Sequence, residues 1–97
     1  MATQPEAPLV EAILQYCQKD PLRFHMPGHK GGSGAPESLR QIWGQLWQWD
    51  LTEVQGLDNL AAPTGPILQA QRQMAAYRGA KQAFFLTQGA TVGLQAA

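Results

Sequence analysis

Residues 21–35, PLRFHMPGHKGGSGA, constrain this chain more than any other stretch. Prolines at 21 and 27 and glycines at 28, 31, 32 and 34 bar both helix and strand. A proline lacks the amide that either structure needs, and a glycine loses more backbone freedom on ordering than any other residue. The Pro27-Gly28 pair marks a turn. Regular structure is therefore confined to the flanks, and the flanks must dock across a loop.

Before the loop, residues 1–8 carry Pro5 and Pro8 and read as a lead-in. Leu9, Ile13 and Tyr16, with Val10, Leu14 and Cys17 beside them, recur at helical spacing, which predicts an amphipathic helix over 8–18 that Asp20-Pro21 stops. Cys17 lies on that stripe and reads as a small buried hydrophobe rather than a reactive thiol.

After the loop, Pro36 suits a first helical turn, and Leu39, Ile42, Trp43, Leu46 and Trp47 predict a helix over 36–48 packed through its indoles. Residues 50–66 form an irregular connection dotted with acids. Pro66 opens a helix over 66–78, with Thr64 as its expected cap, Ile67, Ala70, Met74 and Tyr77 as its buried face, and Arg78-Gly79 as its end. Ala83-Phe84-Phe85-Leu86-Thr87 reads as one strand near 82–87; a tight turn follows, and Val92–Ala97 begins a further helix with no stop signal. This order is the opening of an α/β fold, and one strand cannot make a sheet, so 97 residues are expected to be incomplete on their own.

Composition narrows the function classes. Seven basic and seven acidic residues cancel, which argues against binding nucleic acid or an anionic membrane through bulk charge. No apolar run approaches the ~20 residues of a membrane span. The opening Met-Ala-Thr-Gln-Pro-Glu lacks the basic and apolar regions of a secretory signal. The single Cys allows no internal disulfide and no Cys-based zinc site, so a reducing, cytoplasmic location is expected.

Three places could carry chemistry. The first is Thr87-Gln88-Gly89-Ala90-Thr91, where an extended run enters a glycine turn and a helix N-terminus; free amides and the positive end of a helix suit a phosphate, with Thr91 adding a hydroxyl, although such a turn also occurs wherever a strand feeds a helix. The second is the His25 to Gly32 loop. Pro27-Gly28 forbids the helix that a His25/His29 metal pair would need, and no metal site is expected, while His29 and Lys30 could contact an anion or line an active site. The third is the acidic connection with Asp50, Glu53 and Asp58, which suits acid-base work, recognition of a cation, or the capping of neighbouring backbone.

Together these segments resemble the N-terminal portion of the Orn/Lys/Arg decarboxylase family, pyridoxal-phosphate enzymes of the aspartate-aminotransferase-like fold (fold type I). The resemblance runs from about Leu22 to Ala97. It rests on Phe24-His25-Met26-Pro27-Gly28-His29-Lys30-Gly31-Gly32, on Asp50-Leu51-Thr52-Glu53-Val54 with Gly56-Leu57-Asp58-Asn59-Leu60, on Pro63-x-Gly65-x-Ile67, and on Phe84-Phe85-Leu86 running into Gly89-x-Thr91-x-Gly93. It implies an N-terminal helical arm over 1–21 and the beginning of the major, cofactor-binding domain over 22–97.

The resemblance further implies pyridoxal 5'-phosphate as cofactor, with Gly89, Ala90 and Thr91 holding its phosphate. The family often has Asn-Gly-Ser/Thr-Thr/Ser here, whereas this chain has Gln88 and Ala90, so one side-chain hydrogen bond to the phosphate is missing. The His29-Lys30 loop would lie near the active-site entrance of a homodimer or higher homo-oligomer. The Schiff-base lysine, the carboxylate on the pyridine nitrogen and the ring-stacking His would lie beyond Ala97; Lys30, in a glycine loop, and Lys81, at the entry of the strand, are not credible substitutes. The implied activity is decarboxylation of arginine, lysine or ornithine in polyamine-related metabolism, with the 97 residues alone inactive. The alternative is a truncated, non-catalytic remnant that binds a partner through Trp43, Trp47 and Trp49.

Overall fold

A computed structural model of the chain describes residues 6–97. Its elements are five helices, α1 (Pro8–Gln18), α2 (Glu37–Trp43), α3 (Leu46–Trp49), α4 (Pro66–Arg78) and α5 (Ala90–Ala96), with a 3₁₀ turn at Lys30–Gly32. The helices over 8–18 and 66–78 stand where the periodicity put them. Both open on a proline in their first turn, and α4 ends on Gly79, whose φ of 68° gives the left-handed stop. The two pack against each other as the principal helix pair, while α3 bridges α1 and the 3₁₀ turn.

Two of the expected elements are corrected. The single helix over 36–48 is two short ones, because Gly44 adopts φ 52° and ψ −124° and breaks the run. The pieces stay together because the Trp47 indole donates from Nε1 to the Leu39 carbonyl at 3.2 Å, with the Trp43 and Trp47 rings 5.6 Å apart. The strand near 82–87 does not form: the segment has no helix or ladder assignment, and no strand occurs among the described residues. A strand is a pairing rather than a local conformation, and among the described residues there is no second strand to pair with. The described chain is therefore helical, and the α/β architecture is not visible in it.

The core is small. Leu57 and Ala75 are its buried apolar residues, joined by the polar Gln71. The buried face of α4 is thus centred on Gln71 and Ala75, not on Met74 and Tyr77, which are exposed. Cys17 is half-buried rather than buried, with its thiol donating to the Gln48 carbonyl at 3.4 Å. The accessible surface is 7858 Å², against about 5,500 Å² for a compact protein of this mass. The radius of gyration is 16.0 Å, against about 12.5 Å. The excess is partly apolar, since Leu22, Phe24, Ile42 and Leu94 are all exposed.

Candidate functional site

The acidic connection resolves into a structural joint. Asp58 sits at φ 82°, a left-handed conformation that Asp tolerates better than most residues. Its Oδ1 accepts from the amides of Asn59 at 2.8 Å and Thr64 at 2.9 Å. Its Oδ2 accepts from those of Gly65, Ile67 and Leu68 at 2.8, 3.1 and 3.4 Å. One carboxylate thereby serves the turn and the first turn of α4, whose Gly65 N-cap has no side chain to offer. Desolvation alone would raise the Asp58 pKa; the amide donors of Thr64, Asn59, Gly65 and Leu68 outweigh it and hold the group at about 2, below its ordinary 3.8. Of the readings open for these acids, Asp58 takes the capping one, and it replaces Thr64 as the cap of α4.

The turn before α5 is built differently. Gly89 has φ 81° and ψ 169°, a region reserved for glycine, and a Cβ there would meet nothing within 4 Å. No side chain caps α5, and among the described residues Thr91 makes no side-chain hydrogen bond. At Gly93 an added Cβ would lie 2.8 Å from Leu86 Cδ1, so the glycine lets α5 approach the extended segment. The result is a helix start with orphan amides, open space at Gly89 and a spare hydroxyl, which is the donor set that a phosphate requires. Ala90 offers its amide only.

The glycine loop is ordered by His29. Its Nδ1 accepts from the Gly32 amide at 3.1 Å, and its Nε2 lies 2.8 Å from Asp50 Oδ2. Since Nδ1 is an acceptor, the proton of the neutral ring sits on Nε2 and is donated to Asp50. The ring also packs edge-on against Trp47 at 5.0 Å. Gly32 is required there, because its φ is 100° and a Cβ would come within 2.8 Å of Trp47 Cβ. His25 serves another contact, with Nδ1 donating to the Met26 carbonyl at 2.6 Å and Nε2 paired with the Tyr16 hydroxyl at 2.7 Å. Lys30 donates from Nζ to the His25 carbonyl at 3.2 Å. The structure thus joins His29 to Asp50 across 21 residues and leaves His25 with α1. Sequence spacing carried no signal for either pairing, nor for Arg23, which lies 5.7 Å from the centre of the Tyr16 ring and donates to the Gln48 carbonyl.

Residues 7–97 match the family model described as Orn/Lys/Arg decarboxylase, major domain. The chain belongs to this family. It is 40% identical over 88 residues to an arginine decarboxylase of Bacillus subtilis (strain 168), covering 90% of this chain and 18% of that protein. An arginine decarboxylase of Bacillus cereus is 39% identical over 88 residues, covering 90% of this chain and 19% of the relative. A further relative, the uncharacterized protein YaaO of Bacillus subtilis (strain 168), is 37% identical over 86 residues, covering 89% and 18%. The chain thus spans less than a fifth of the length of the curated relatives it matches, and corresponds to an N-terminal portion of the family. No solved structure matches it. Among the described residues no helix is long and apolar enough to cross a membrane.

Proposed function

We propose that this chain is the opening of a pyridoxal-phosphate-dependent decarboxylase acting on a basic amino acid, with arginine favoured, in the cytoplasm and as a homo-oligomer. The observation that carries the reading is the family match across residues 7–97, together with relatives named arginine decarboxylase. The open, uncapped turn at Gly89 supports the assignment of the cofactor's phosphate to the amides of Gly89, Ala90 and Thr91 and to the Thr91 hydroxyl. When bound, pyridoxal 5'-phosphate supplies the electron sink for loss of the α-carboxylate as CO₂. Asp58 fixes the start of α4, and His29 with Asp50 fixes the glycine loop, so the chain's contribution is to bind and orient. Polyamine-related metabolism follows from the substrate class.

The test is a chimaera in which these 97 residues replace the matching segment of the Bacillus subtilis arginine decarboxylase. Retained CO₂ release from arginine is the expected result. A chimaera that folds and binds cofactor but releases no CO₂ from arginine, lysine or ornithine would contradict the proposal. The exposed Trp43 and Trp49 give a specific reason to keep the remnant reading. Under that reading the chimaera fails to assemble, while the 97 residues alone bind a partner.

A further inference from the structure

Gln71 is 6% exposed, yet among the described residues its side chain makes no hydrogen bond. Among the described residues, no fully buried side-chain polar atom lacks a partner, so the Gln71 amide must lie where solvent reaches it. The surface it lines is a cleft of about 240 Å³ between α4 and the extended residues 81–84. Arg72 and Lys81 stand on the same cleft, neither in an ion pair among the described residues, and no carboxylate lines it. Leu68, Ala75 and Phe84 supply its apolar wall.

We propose that this cleft binds a small oxyanion, a carboxylate or a phosphate group, with Gln71, Arg72 and Lys81 as donors. A guanidinium fork, an ammonium and a carboxamide line one cleft whose lining holds no carboxylate. Bonds from charged donors to an oxyanion are the strong class of hydrogen bond. One other opening, beside Lys19, is lined by a single cation, and two more are unsuited to an anion. The cleft beside Glu53 and Asp58 is acidic, and its Asp58 oxygens are already occupied by backbone amides. The groove between α1 and α4 is apolar, with no feature that selects an occupant. The proposed site is separate from the Gly89 turn and does not depend on the decarboxylase reading.

The experiment is a titration of the full, ¹⁵N-labelled chain with inorganic phosphate and, separately, acetate, following the Gln71 side-chain NH₂ signals. Saturable movement of these signals with either anion is expected, and the anion that binds more tightly identifies the ligand class. Arg72→Gln with Lys81→Gln should weaken binding at least tenfold, and Gln71→Glu, which sets a carboxylate in the cleft, should abolish it. Arg72→Gln alone, at an exposed position, serves if the buried substitution unfolds the chain. Shifts confined to residues 89–92, an immobile Gln71 signal with both anions, or unchanged affinity in the Arg72/Lys81 variant would each overturn the site.

Discussion

Helix α4 and helix α5 both start at a glycine N-cap, Gly65 and Gly89, and in neither does the cap residue itself contribute a side chain. At α4 the missing acceptor arrives from Asp58, seven residues before Gly65, and takes up the amides of Gly65, Ile67 and Leu68. At α5 no side chain arrives from among the described residues. Orphan amides at a helix start must find partners, so one junction closes on itself and the other remains able to take an external anion. The difference separates a structural joint from a binding turn, although both read locally as Gly followed by a helix.

The comparison breaks most readily at Asp58. Asp58→Ala removes every acceptor of the α4 junction, and the largest fall in thermal midpoint and helical circular dichroism of any substitution at the two junctions is expected. If the loss is no greater than at an exposed loop residue, the joint is not what holds α4. Acid gives the same result by titration. Because the folded-state pKa is lowered, the stabilisation is present above about 3.8 and is lost as pH falls towards about 2. Unfolding followed between pH 5 and 2 should show this loss in the natural chain and not in Asp58→Ala.

At the open junction the expected effects appear in binding rather than in stability. Ala90→Ser adds a hydroxyl beside the proposed phosphate; one hydrogen bond to a charged group contributes about 1.5–3 kcal/mol, so the chimaera should bind pyridoxal 5'-phosphate at least tenfold more tightly. Unchanged affinity would place the phosphate elsewhere. Gly89→Ala forces a Cβ onto a backbone conformation reserved for glycine, with no neighbouring side chain in its way, and about 1–3 kcal/mol of stability should be lost, measured by denaturant unfolding. A neutral result would mean that the turn relaxes and is not held at φ 81°.

How much of this was legible beforehand depended on range. Helices α1 and α4 were readable because prolines, a left-handed glycine and apolar spacing are local signals. Gly44 was an equally local breaker, masked by an indole periodicity that continues past it. The buried face of α4 was misread because Gln71 lies inward at a position where composition favours Met74 and Tyr77. The run at 82–87 has the composition of a strand, but pairing depends on a neighbour that the described residues do not include. His29 with Asp50, and Asp58 with Leu68, are side-chain contacts across loops, and no periodicity encodes them. The Gly89 turn was legible as a shape, because a strand-like run, a glycine and a helix start are all local.

Hydrogen–deuterium exchange at the two junctions, measured on the chimaera with and without pyridoxal 5'-phosphate, tests the central claim most directly. The amides of Thr64, Gly65, Ile67 and Leu68 should be protected in both states, whereas those of Ala90 and Thr91 should exchange quickly without cofactor and slowly with it. Protection at Ala90 and Thr91 before the cofactor is added, or no change on adding it, would contradict the account.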